Sequence, residues 1–239
     1  MLRMSTRSRQ LRLALRPPRR WGGRRKVAGR KPGPRPRDPH RRRPALAGRF
    51  PCHVTLKVRH DVPSLRSVRF VRELERSFAA ACERGRFRVA HYSIQGDHVH
   101  AIVEAASASA LASGMKSIAA RLARAANRVF ARCGPVLADR FHLHVLRTPR
   151  EVRNALAYVL LNARRHAAKL GRLLRAPPRI DPASSGRWFD GWSAPPSAPG
   201  PDPPAVAPPR TWLLRQGWRR HGLLRPDEVP GRSGPLVIA

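Results

Sequence analysis

A chain of 239 residues is long enough for one well-buried domain of ordinary size with extensions at its ends. Its 49 Lys+Arg against 14 Asp+Glu leave a formal net charge of +35, which points to a polyanionic partner, nucleic acid first, even with compositional bias accounting for part of the arginine surplus. Cys52, Cys82 and Cys133 show no Cys-x-x-Cys spacing, excluding a disulfide framework and a zinc knuckle and favouring a reducing compartment; no run approaches the roughly 18 apolar residues of a membrane span.

Residues 1–48 are Arg, Pro and Gly with little periodicity and predict a disordered basic arm. Two origins stand for it: a non-specific DNA tether, or upstream sequence translated from a misassigned start. An Arg-rich organellar transit peptide is the weaker third reading. From His53 to Arg59 the chain alternates, with Val54, Leu56 and Val58 on one face and His53, Thr55, Lys57 and Arg59 on a basic, open one. Val68, Val71, Leu74, Phe78 and Cys82 follow helical spacing over about 68–84, with Gly85 as the stop.

Two strands, 87–95 and 98–105, then meet at Gly96-Asp97, a tight hairpin turn for which glycine admits positive φ. A second amphipathic helix, about 109–133, buries Leu111, Met115, Ile118, Leu122, Val129 and Phe130, while Arg121, Arg124 and Arg128 point elsewhere. A fourth strand, 141–147, leads to Thr148-Pro149-Arg150-Glu151, which carries an N-cap, a proline at the first helical position and the acid of a capping box. The helix that follows has the apolar stripe Val152, Leu156, Val159, Leu160, Ala163 and Ala167, with Tyr158, Asn162 and Arg165 on its flank. Residues 173–209 predict a Pro-rich linker, and 210–239 a short helix and tail.

The order βαββαβ predicts an α+β, ferredoxin-like antiparallel sandwich over 49–172, with one additional helix carrying the tyrosine. Strand alternation puts His98 and His100 on one face, away from Val99, Ala101 and Val103; helical spacing puts Tyr158 and Asn162 on one face as well. Two imidazoles on a rigid strand make half a metal site. His142-Leu143-His144 repeats the spacing, but the first pair follows a hairpin turn that defines its strand. Alternation places Tyr92 with Ala90 and Ile94 toward the helices, leaving Tyr158 as the candidate nucleophile.

The run Gly96-Asp97-His98-Val99-His100, followed by the capped helix with Ala157-Tyr158-Val159-Leu160-Leu161-Asn162, resembles the IS200-like transposases, specifically their REP-associated tyrosine branch. The resemblance covers about residues 50–170, with looser support from Thr211 to Leu214 and Gly217-Trp218. It implies His98, His100 and Asn162 as ligands of Mg2+ or Mn2+, and Tyr158 as the nucleophile that cleaves and rejoins single-stranded or hairpin DNA through a 5′-phosphotyrosine intermediate. Two histidines favour manganese in affinity, magnesium in abundance. The implied substrates are REP-like palindromes and the implied setting the bacterial cytoplasm near the nucleoid, with no membrane association and a homodimer left open.

Asp97 stands where the family commonly has asparagine, and Asn162 where other branches have glutamine. A phenol with an ordinary pKa near 10 needs help at neutral pH, for which Arg165 and Lys57 are the nearest candidates. Lys57, Arg59, Arg121, Arg124, Arg128, His142 and Arg165 form the predicted DNA-binding set. The second reading is a non-catalytic nucleic-acid-binding protein on the same scaffold; a basic ribosome-associated protein is the third. Neither requires paired histidines aligned with Tyr and Asn.

Overall fold

The computed structural model describes residues 45–80, 82–170, 180–194 and 203–231. All but the last four residues of the predicted basic arm therefore lie outside the described residues. The sheet has five strands: β1 (Cys52–Lys57), β2 (Glu83–Arg84), β3 (Phe87–Ile94), β4 (His98–Ala105) and β5 (His142–Val145), in the spatial order β2-β3-β4-β1-β5, every pair antiparallel. The predicted α+β sandwich holds, and β2 is an addition to it. The first helix, α1 (Val68–Ala79), stops short of the predicted end, and Gly85 instead takes φ +54° in the turn between β2 and β3.

On one side of the sheet, α1 and α2 (Ala108–Val129) lie over Val54, Leu56, Val99, Ala101 and Val103, with Phe70, Leu74, Phe78, Met115 and Leu122 between. Alternation along β1 and β4 supplies that face, and helical spacing supplies its cover. Gly114 sits mid-helix where a Cβ would stand 2.1 Å from the Phe87 ring. The glycine trades helix propensity for this approach of helix to strand.

The other side is not the open face that the alternation suggested. The capped helix α3 (Pro149–Leu160) lies across Ala90 and Ile102 with Val152, Leu156, Val159 and Leu160 inward, and a short helix α5 (Trp212–Arg215) with a 3-10 turn at Gly217–His221 extends the cover. Trp218 and Leu224 are fully buried there. Four strands' worth of alternation cannot reveal this second core, because its cover comes from segments far away in sequence.

Two further expectations change with it. The register of β3 shifts between Val89 and His91, so Ala90 joins the second core while Tyr92 and Ile94 stay in the first. Tyr92 is buried there, and its hydroxyl donates to Glu75 at 3.0 Å. The predicted linker is likewise only in part described, and its described residues pack: in 180–194, Asp181, Ser184, Ser185, Phe189 and Trp192 are buried, and the Ser185 hydroxyl accepts from the Tyr92 N–H at 2.9 Å. Arg66 clamps this segment by a two-pronged pair with Asp181 at 2.8 and 2.9 Å. Glu104 clamps the next one, accepting from the N–H groups of Arg210 and Thr211 at 2.8 Å each and from the Thr211 hydroxyl at 2.7 Å. Proline-rich composition signals absence of helix and strand, and these carboxylates supply the order it does not.

No helix among the described residues is long and apolar enough to cross a membrane.

Candidate active site

The hairpin between β3 and β4 forms without positive φ at Gly96. Its turn is held by an N–H from Gln95 to the His98 carbonyl at 2.8 Å, and by Val58 and Leu65 N–H groups donating to the Asp97 and Gly96 carbonyls at 2.8 and 2.9 Å. That fixed turn starts β4 at His98 and sends both imidazoles to the α3 side, as the two-residue period requires. Their rings meet edge to face with centroids 4.6 Å apart.

Tyr158 reaches the same place from α3. Its ring lies edge to face on His100 at 5.0 Å and on His53 at 5.7 Å. Asn162 is no longer on the same helix: α3 ends at Leu160 and α4 (Asn162–Lys169) begins after Leu161, whose φ of −109° and ψ of 18° leave the helical range. The ladder nonetheless continues across the break, with Leu161 N–H to Ala157 at 3.0 Å and Arg165 N–H to Leu161 at 3.0 Å. Arg165 follows on α4, its guanidinium 4.8 Å from the centre of the Tyr158 ring.

Burial and pairing divide these groups. His100 is 4% exposed and Asn162 is 1% exposed. The Nε2 of His100 and both amide atoms of Asn162 are buried without a protein partner. Buried polar atoms left unpaired cost free energy on the order of 1–3 kcal/mol each, so their persistence needs a reason. The Nδ1 of each histidine is engaged instead: His98 with the Asp97 carboxylate at 2.6 Å, His100 with Thr55 Oγ1 at 3.0 Å and His53 Nε2 at 3.2 Å. Burial, followed by the charges of His53, His98, His166 and Arg165, holds the His100 pKa well below its ordinary value. Burial and His144 take His53 down to about 4. The His53 and His100 imidazoles are therefore neutral at pH 7, and for His100 that is the form that offers a lone pair to a cation.

A divalent cation suits this donor set. Among the described residues no three His, Cys, Asp or Glu side chains are grouped to hold a metal, and the buried amide of Asn162 is without a protein partner.

The predicted DNA-binding residues separate. Arg165 joins the site. Lys57 pairs with Asp97 at 3.7 Å rather than serving the tyrosine, and Arg59 lies past the end of β1 and pairs with Asp61 at 3.0 Å. His142 lies on the edge strand opposite Thr55, hence on the same face as His100 but one strand further out. Arg121, Arg124 and Arg128 belong to α2, behind the sheet from Tyr158, where they line a groove with Glu73, Arg76 and Ser77. Arg121 donates there to the Ser77 carbonyl and hydroxyl at 3.3 and 3.2 Å, and Arg128 pairs with Glu73.

His53, Thr55 and Glu104 were not singled out by the sequence reading. Alternation already put His53 and Thr55 on the face of His100; what it lacked was the register, which sets Thr55 directly opposite His100.

Comparison with known proteins bears on this arrangement. Residues 50–143 match a family model described as Transposase IS200 like. A solved structure titled "Structure of the REP associates tyrosine transposase bound to a REP hairpin" is similar at 18% identity and a TM-score of 0.43, over 56% of this chain and 76% of that one. No curated protein matches the chain. The stretch similar to the IS200-like transposases, residues 50–143, is the one that carries the paired histidines.

Proposed function

We propose that this protein is a DNA transposase of the single-tyrosine type, cleaving and rejoining single-stranded or hairpin DNA. One observation carries the reading: the paired imidazoles of β4 and the tyrosine ring of α3 meet at one place, and the buried amide of Asn162, just past the end of α3, has no protein partner. The family match over 50–143 supports it for the histidine-bearing half. The net charge of +35 supports a nucleic-acid substrate.

His98, His100 and Asn162 would hold Mg2+ or Mn2+, which when bound polarises the scissile phosphate and offsets its charge. Tyr158 supplies the nucleophile. Its phenolic oxygen bonds to phosphorus as the bond from phosphorus to the 3′-oxygen breaks, and the phenol's proton is balanced by the one that completes the 3′-hydroxyl. The Arg165 guanidinium stands over the ring, 4.8 Å from its centre, a cation beside the nucleophile. A phosphodiester bond is exchanged for another, so reversal by the 3′-hydroxyl needs no outside energy.

The test is a covalent adduct. Incubated with labelled hairpin oligonucleotides and Mn2+, the protein should form a species stable to denaturant. Tyr158→Phe should abolish it, a loss of at least about a thousandfold, while DNA affinity changes little. An adduct that persists in Tyr158→Phe refutes the assignment. Binding by the wild type with no cleavage of any hairpin favours the non-catalytic alternative.

A further inference from the structure

The His53 side chain touches both a candidate ligand and the candidate nucleophile. It is buried on β1, two residues before Thr55, and its Nε2 approaches His100 Nδ1 at 3.2 Å. Its ring lies 5.2 Å from that of His100 and edge-on to Tyr158 at 5.7 Å. The Nδ1 of His100 therefore faces two groups able to accept a proton, His53 Nε2 and Thr55 Oγ1, while its Nε2 has no protein partner.

That asymmetry has a chemical consequence. An imidazole that gives Nε2 to a cation must carry its proton on Nδ1, and an acceptor beside Nδ1 selects that tautomer before the cation arrives. His98 meets the same need differently, through the exposed carboxylate of Asp97. His100, being buried, has its partner from the neighbouring strand.

We infer that His53 is a positioning residue: by accepting from His100 Nδ1 and bracing the Tyr158 ring, it holds His100 with Nε2 turned to the place where ligand and nucleophile meet. The inference rests on the metal-assisted reading above. Two measurements on the full chain separate its failure from that of the reading. The first is the His100 tautomer, read without metal from ¹⁵N chemical shifts of the imidazole; the second is Mn2+ affinity, read by electron paramagnetic resonance, with His98→Ala as the control that removes a ligand.

Wild type should show His100 protonated on Nδ1, and His53→Leu should shift it toward the Nε2–H form. The same variant should weaken Mn2+ binding about 10- to 100-fold, with the melting temperature of the metal-free protein unchanged or raised. His53→Gln, whose amide oxygen can accept in place of Nε2, should recover most of both. If His53→Leu leaves tautomer and affinity at wild-type values, or lowers affinity without moving the tautomer, His53 is only a packing residue and the inference is overturned. If wild type binds no Mn2+, or binds it equally after His98→Ala, the metal-assisted reading itself fails and the role assigned here fails with it.

Discussion

The two sides of the sheet are built to different rules. Toward α1 and α2 the interior is apolar throughout, with Leu74, Phe70 and Phe78 fully buried and Tyr92 finding Glu75 for its hydroxyl. Toward α3 the core of Leu156, Val159 and Trp218 shares its space with buried polar groups: His53, His91, His100, Glu104 and Asn162. Some of these are fully paired and some are not. The contrast separates polar groups that hold the fold from those that stability alone would discard.

Glu104 belongs to the first kind. It accepts three hydrogen bonds from Arg210 and Thr211 and stands 3.6 Å from the buried Arg88. Glu104→Ala should cost about 3 kcal/mol in urea unfolding, the low end for a broken buried pair because Arg88 keeps Glu83 at 2.8 Å. It should also release the segment after Arg210 to proteolysis. A loss below about 1 kcal/mol would mean that this carboxylate does not hold the C-terminal cover.

His91 tests the same side by pH. It lies edge-on to Phe189 at 5.2 Å, and burial takes its pKa from 6.5 to about 4. The unfolded chain binds this proton more tightly, so its contribution is full above about pH 6.5 and is lost as pH falls toward 4, by roughly 3 kcal/mol in all. His53 and His100 act in the same direction. The melting temperature should therefore fall steeply over that window, and His91→Gln should flatten part of the slope. A variant with the wild-type slope would show that His91 titrates normally in the folded state.

Asn162 is the second kind, and its effect should be smaller and of opposite sign. Both its amide atoms are buried and unpaired, so Asn162→Leu should leave stability unchanged or raise it by about 1 kcal/mol while weakening Mn2+ binding and adduct formation. Destabilisation by several kcal/mol would place the residue among the structural polar groups instead.

How much of this was legible in the sequence follows the same division. Local rules gave the alternation of β1 and β4 and the capping box at Thr148 with Glu151. Each depends on residues within a few positions of one another. The second core was hidden because Trp218 and Leu224 reach it from the far end of the chain, across proline-rich stretches that carry no period. A bulge defeated the reading of Ala90, since one extra residue reverses the faces that alternation assigns. His53 escaped for a related reason: its partner lies on another strand, and only the register reveals the pair. The arginines of α2 lie on the far side of the sheet because the helix's apolar stripe had to face the first core.

The central claim is that His98, His100 and Asn162 converge on one cation beside Tyr158. Anomalous diffraction at the manganese edge, on crystals grown with Mn2+, tests it most directly. The account predicts a single strong peak within coordination distance of both His Nε2 atoms and the Asn162 amide oxygen, lost in His100→Ala. A peak that touches only His98 and Asp97, or lies away from Tyr158 altogether, would contradict it.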